Sequence, residues 1–388
     1  MTDLGTRPAP APTRAVRRAA PALAGYVAVR ALGLVALALW SAARGTSPHT
    51  LLTARWDSLW YTRVAALGYG YEVRLPNGDV HSDLAFFPLL PWLERLGEAL
   101  TPLSFADAGL LVTTLASLAA AWGIFAVADQ VYGSRAGVCA VLLWAVLPVG
   151  IVQSMAYSES LFTALAAWSL YAVLTDRWLT AGGLASLAGL TRPVGAAVVA
   201  AVWAAAITSY VRDRRALPAG EVPALGRVLG VLLAPLGAAS YVLWVGRRTG
   251  QGPLGYLDVQ AGWRNGFDGG YAFARFIAGK FTALPSALVG VGLIIGVALI
   301  VWLFVVCVRQ RQPLPLLVYT GVVTALALCA SSYFGSKPRL LLPAFPLLLP
   351  LARALARVRP SRSAAVLGGV AVVSAVYGAF WLNGSGPP

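Results

Sequence analysis

The segment Arg55-Trp56-Asp57 is the first place along the chain where residue types suggest chemistry. A carboxylate there, beside Trp56 and Arg55, can accept a proton from a hydroxyl group entering from the lipid side, or orient it. The same Asp57 could instead pair with Arg55 or cap the helix that opens near Ser58. Further on, His81-Ser82-Asp83 leads into Ala85-Phe86-Phe87-Pro88. His81 and Asp83 could join Asp57 in a polar site, with Phe86 and Phe87 facing a sugar or an isoprenoid chain. In the plainer alternative, Asp83 caps a helix and the Phe pair anchors it in lipid.

A third group is Gln153-Ser154-Met155-Ala156-Tyr157-Ser158-Glu159. A carboxylate beside an apolar run is expensive, which marks Glu159 as functional, although behind Ser158 it also suits the positive end of a helix. Arg192, in Thr191-Arg192-Pro193, joins Lys337 and Arg339 of Ser336-Lys337-Pro338-Arg339 as three cations expected at one boundary. Cations converging there would suit a phosphate, which Arg can grip with two donors; the alternative is snorkelling to lipid head groups. The stretch 247–283, with Tyr256, Asp258, Gln260, Trp263, Arg264 and Asp268, could line a groove or be an exposed loop. No P-loop, GxSxG, HExxH or GxGxxG pattern occurs in a fitting context, so neither ATP nor a nicotinamide cofactor is implied. No cofactor is expected. A divalent metal stays open, since Asp57, His81, Asp83 and Glu159 could hold one if they converged.

These residues must be carried by membrane helices. Of the 388 residues, 58% are hydrophobic and 12% charged, against roughly 25% charged in a soluble domain. One soluble core cannot bury that much apolar surface. The expected fold is an all-α, polytopic membrane bundle of about eleven spans, the first over 22–43 and the shortest over 178–191 and 339–352. The net charge of +15 comes from basic residues that are all Arg except Lys280 and Lys337. They cluster beside the spans, as in Arg212-Asp213-Arg214-Arg215 and around Arg353, Arg357, Arg359 and Arg362. That pattern is a topology signal placing the N-terminus inside, and it leaves no need for nucleic acid as a partner.

The chain reads as one membrane domain over 1–388, with a cytoplasmic tail at 1–21 whose apolar continuation is an uncleaved signal anchor. Two outer segments, 44–105 and 247–283, are too long for turns. The second half of the first is expected to be a helix lying in the membrane interface. Cys139, Cys307 and Cys329 lie in apolar runs, without disulfide or zinc spacing.

Taken together, these pieces resemble the GPI mannosyltransferase II (PIG-V) family of GT-C membrane glycosyltransferases. The resemblance rests on Arg55-Trp56-Asp57, Gly68-Tyr69, Tyr71-Glu72, Ala85-Phe86-Phe87-Pro88 with Pro91, Tyr157-Ser158-Glu159 and Thr191-Arg192, all within about residues 55–195. It implies a GT-C-like bundle in the plasma membrane that moves mannose from a polyprenyl-phosphate donor to a lipid or glycan acceptor on the outer side. Asp57 matches the presumed catalytic acid of the first outer loop. Arg192, Lys337 and Arg339 would then face the donor phosphate, and Arg55, Trp56, His81, Asp83, Phe87, Tyr157 and Glu159 the sugar and acceptor. The chain departs from eukaryotic members at Pro193-Val194-Gly195, which leaves the acceptor open. A transporter or flippase for a lipid-linked sugar, or a scaffold subunit without activity, would use many of the same features. A transporter would add mid-membrane polar residues and inverted repeats.

Overall fold

The computed structural model describes residues 12–216, 225–384 and 386; of the expected N-terminal tail, residues 1–11 lie outside them. Helix α1 (Pro12–Arg44) leads into 44–105, the first of the two segments expected on the outer side, which holds α2 (Pro48–Thr53), α3 (Asp57–Leu67), the hairpin β1 (Glu72–Arg74) and β2 (Val80–Ser82), and α4 (Leu89–Leu100). The bundle continues with α5 (Phe105–Tyr132), α6 (Ser134–Ala145), α7 (Ser158–Leu174), α8 (Trp178–Gly189), α9 (Ala196–Ala216), α10 (Leu225–Leu233) and α11 (Leu236–Thr249). The second outer segment folds as α12 (Gly255–Gly262), β3 (Gly266–Phe267) and α13 (Tyr271–Ala278). After it come α14 (Leu284–Arg309), α15 (Leu314–Cys329), β4 (Ala330–Ser331), α16 (Lys337–Leu340), α17 (Leu349–Arg357) and α18 (Pro360–Leu382).

Among the described residues, six helices are long and apolar enough to cross a membrane, or seven if the pair Phe334–Leu340 and Phe345–Arg357, bent by 74°, counts as one. This is a multi-span membrane protein with fewer full-length spans than the eleven apolar runs suggest. The runs at 136–152, 160–175, 178–191 and 313–332 become α6, α7, α8 and α15, of 12, 17, 12 and 16 residues, against about 20 residues for a crossing. The run at 339–352 is broken by Pro343, Pro346 and Pro350, each lacking the N–H that a continuous helix needs.

The core forms where α5 packs on α6 and α7, α1 on α18 and α6, and α9 on α15. It is built largely from alanine and valine, with Tyr26, Trp144, Tyr157, Phe162 and Tyr319 as its large members. Helix α8 meets α10 and α11 through glycine: a Cβ at Gly182 would clash with the Gly230 carbonyl, and one at Gly237 with the Ser186 carbonyl. Small residues let the backbones approach this closely, which is how helices associate where no hydrophobic effect separates them from lipid.

Helix α4 falls in the second half of 44–105 and is amphipathic. Trp92, Leu96 and Leu100 are exposed along it, while Leu90, Pro91 and Glu94 are buried. The two outer segments are tied together. The Trp263 indole donates to the Ser82 carbonyl at 3.0 Å and Arg264 pairs with Asp79 at 2.5 Å, while from α11 the Tyr241 hydroxyl donates to the Leu84 and Phe86 carbonyls at 2.9 and 2.8 Å.

Candidate functional site

Asp57 opens α3 rather than capping it. The residue before it, Trp56, has φ +53°, a left-handed conformation costly for a bulky side chain, and strain of this kind collects at functional sites. The turn is held from several directions. The Arg55 N–H donates to Ser58 Oγ at 2.8 Å, and the Arg55 guanidinium donates to the Leu382 and Gly384 carbonyls at 2.6 Å each. Arg55 also lies over the Trp56 ring, 4.1 Å from its centroid. The Asp57 N–H donates to the Tyr157 hydroxyl at 3.3 Å. Arg55 therefore braces the loop against the end of α18, and it does not pair with Asp57.

The Asp57 carboxylate meets Arg339, whose Nη1 donates to Oδ2 at 2.7 Å. Arg339 Nε lies 3.3 Å from Glu159 Oε1, and Arg192 Nη1 is in direct contact with that same Oε1 and 3.4 Å from Ser158 Oγ. Asp57, Arg339, Glu159 and Arg192 form one chain of alternating charges, drawn from the first outer segment, α16, the start of α7 and the α8–α9 junction. Arg192 stands in extended conformation before Pro193, as a residue preceding proline must. Tyr61, one helical turn after Asp57, reaches the cluster by a 2.7 Å hydrogen bond between its hydroxyl and Ser158 Oγ.

Exposure sorts these groups. The Glu159 side chain is 1% exposed, Arg339 9%, Arg192 14% and Asp57 27%. Asp57 is the more exposed of the two acids, and Glu159 is the buried counter-ion of both guanidinium groups. Arg192 and Arg339 each keep Nη2 without a hydrogen-bond partner among the described residues. Buried charges persist only with such pairing, because desolvation otherwise outweighs their attraction.

Several expected site residues have other employment. Lys337, two positions from Arg339, donates Nζ to the Ala327 and Ala330 carbonyls at 2.8 Å each and lies 4.6 Å from the Phe273 ring centroid. Its ammonium satisfies the end of α15 and is not part of the charge chain. Asp83 is fully buried and accepts from the Gly70 and Tyr71 N–H groups at 3.0 and 2.9 Å. Burial raises its pKa against those bonds, and its role is to fold the outer segment. Phe87 is buried against Tyr241 and Tyr256, and Tyr157 is buried beneath the Arg339 guanidinium; neither is open to a ligand. His81 stays half-exposed, stacked on Trp263 with ring centroids 4.0 Å apart. Asp57, His81, Asp83 and Glu159 do not converge, and among the described residues no three His, Cys, Asp or Glu side chains gather as a metal set.

Trp60, Tyr61 and Arg30 are not among the expected site residues. The first two could have been found from spacing, since residues three and four beyond Asp57 share its helix face. Arg30, inside α1, donates to the Ala145 and Gly150 carbonyls where the chain breaks after α6. It supplies the donors that the unwound turn lacks in an apolar setting. An apolar cavity of about 470 Å³ runs between α4, α5, α7 and α8, lined by Leu93, Val112, Ala116, Leu161, Leu165 and Trp168 among others.

The architecture has solved counterparts. The crystal structure of ArnT from Cupriavidus metallidurans bound to undecaprenyl phosphate is similar with TM-score 0.54 and 17% identity, covering 88% of this chain and 61% of ArnT. The archaeal oligosaccharyltransferase AglB from Archaeoglobus fulgidus, in complex with an inhibitory peptide and a dolichol-phosphate, matches with TM-score 0.46 and 11% identity over 94% of this chain and 56% of its own. The chain thus spans about three-fifths of the length of ArnT. No curated protein sequence matches it. Residues 83–245 match the family described as dolichyl-phosphate-mannose-protein mannosyltransferase, and the chain as a whole carries the fold seen in ArnT.

Proposed function

We propose that the protein is a membrane glycosyltransferase that moves a sugar, mannose by the resemblance to GPI mannosyltransferase II, from a polyprenyl-phosphate donor to an acceptor hydroxyl on the outer face. The observation that carries this reading is the ion pair of Asp57 with Arg339, backed by Glu159 and Arg192. It sets one accessible carboxylate beside two guanidinium groups, the pair of functions such a transfer needs. The family match over 83–245 and the neighbours' names, which include undecaprenyl phosphate and dolichol-phosphate, support a lipid-linked donor.

In the proposed step the acceptor oxygen attacks C1 of the sugar, the bond from C1 to the phosphate oxygen breaks, and polyprenyl phosphate leaves. The hydroxyl proton passes to Asp57 and from there to solvent. The Nη2 groups of Arg192 and Arg339 meet the charge that develops on the departing phosphate. With Glu159 buried and held by both arginines, one accessible carboxylate remains, and a single displacement inverts the anomeric centre. The cavity beside α7 suits the polyprenyl chain, since its lining is apolar. No nucleotide is needed, because the phosphate is already on the donor.

The test is to supply purified protein with polyprenyl-phosphate-[14C]mannose and follow release of the label from lipid. Turnover with inversion is expected. Intact donor after long incubation, or its movement across a vesicle without bond cleavage, would favour a scaffold or a flippase instead.

A further inference from the structure

Trp60 lies one turn from Asp57 on the same face of α3, and an aromatic row leads outward from it. Trp60 stacks on Phe86 with centroids 5.5 Å apart and planes 7° apart, and it meets Trp263 edge-on at 5.0 Å. Trp263 in turn stacks on His81 at 4.0 Å with planes 9° apart. The row crosses from the first outer segment to the second, and Trp60, Phe86, Trp263 and His81 are all half-exposed. The Trp263 N–H is already spent on Ser82, so that ring offers only its surface.

His81 ends the row and is the member left with hydrogen-bonding capacity. One face of its imidazole is covered by Trp263, yet neither ring nitrogen has a hydrogen-bond partner among the described residues. Partial burial lowers its pKa below the ordinary value, so near neutral pH it presents one donor and one acceptor. Around this end stand the Asn265 side-chain amide, bonded to Gln260, and the Arg264–Asp79 pair.

We infer that the row from Trp60 to His81 is a subsite for a glycan acceptor, in which pyranose rings pack on the aromatic surfaces and a sugar hydroxyl bonds a His81 ring nitrogen. The chemistry favours a sugar. A pyranose combines an apolar C–H face, which packs on aromatic rings, with an equatorial belt of hydroxyls that both donate and accept. The row is several rings long and starts beside Asp57, so a sugar held along it can present its terminal hydroxyl to that carboxylate. This rests on the proposed transfer and adds the acceptor class to it.

Saturation-transfer NMR of the purified protein, with mannobiose and with a hexapeptide of similar mass, tests the subsite without any donor. Mannobiose ring C–H signals are expected for the wild type and for Asp57→Asn. They should fall at least fivefold in His81→Ala and in Trp263→Leu, while the peptide gives none. Asp57→Asn keeps binding apart from turnover, so a wild type that binds mannobiose but never cleaves donor counts against the transfer alone. Mannobiose signals that are absent from the wild type, or equal in the wild type and His81→Ala, would overturn the subsite. So would saturation of the peptide in place of the sugar.

Discussion

Asp57 and Arg339, 282 residues apart in the chain, meet at 2.7 Å, and Arg339 reaches on to Glu159 at 3.3 Å. One guanidinium thereby fixes the accessible acid to the buried one. Replacing Arg339 with Met should leave Glu159 partly unpaired and Asp57 unheld, cutting turnover about a thousandfold. Arg339→Lys should recover little, because a point charge cannot serve two carboxylates from a planar fork. Initial rates of release of labelled sugar from lipid for the three proteins check this; a Lys variant near the wild-type rate would show that charge alone suffices.

In the proposed transfer Glu159 acts through Arg192 and Arg339, which it pairs with, and not by touching a ligand. Glu159→Gln keeps the shape but leaves two buried cations short of an anion, a loss of about 3–5 kcal/mol when a buried pair is broken. A fall of several degrees in Tm, together with a lowered kcat, is expected. A variant with unchanged Tm and only a raised acceptor KM would place Glu159 in contact with substrate instead.

Glu94 offers a pH test outside the spans. It is buried against Gly109, neither oxygen has a hydrogen-bond partner, and burial pushes its pKa up to about 9. A carboxyl raised in the folded state costs nothing below its unfolded pKa, near 4.5. The cost of holding its proton then grows with pH and levels off above the folded value. Glu94→Gln should therefore be more stable than the wild type at pH 8, by a few kcal/mol, and unfold at a higher temperature, with the difference closing toward pH 4.5. Thermal unfolding in detergent at the two pH values checks it; an equal gain at both would mean that the acid is not neutral in the fold.

The glycine seam between α8 and α11 gives a packing prediction. Because a Cβ at Gly237 meets the Ser186 carbonyl, Gly237→Val must push the helices apart and should cost about 2 kcal/mol or more. Gly183, with nothing within 4 Å of its Cβ position, should accept Ala with little change. The two Tm values, measured side by side, decide between a packed seam and a loose one.

Much of this was legible in the residues, for identifiable reasons. The membrane class follows from composition, since 58% hydrophobic residues have only lipid and one another to meet. The number of full crossings does not, because hydropathy counts apolar residues without seeing where proline bends them, as between Phe334 and Arg357. Asp57, Arg192, Arg339 and Glu159 could be picked out as costly charges near apolar runs, but their pairing could not, because it joins distant parts of the chain. Lys337 and Arg339 look equivalent in sequence. Two positions apart on a helix, they point about 200° from each other, and only Arg339 reaches the acids. Asp83 and Phe87 carry the right chemistry for a sugar site, and burial withdraws both from it.

The most direct test of the account is single-turnover release of mannose from polyprenyl-phosphate-[14C]mannose by wild-type and Asp57→Asn protein of matched Tm. A loss of about a thousandfold is expected in Asp57→Asn, with donor binding retained because Arg192 and Arg339 remain. Release by Asp57→Asn at a rate close to that of the wild type would contradict it.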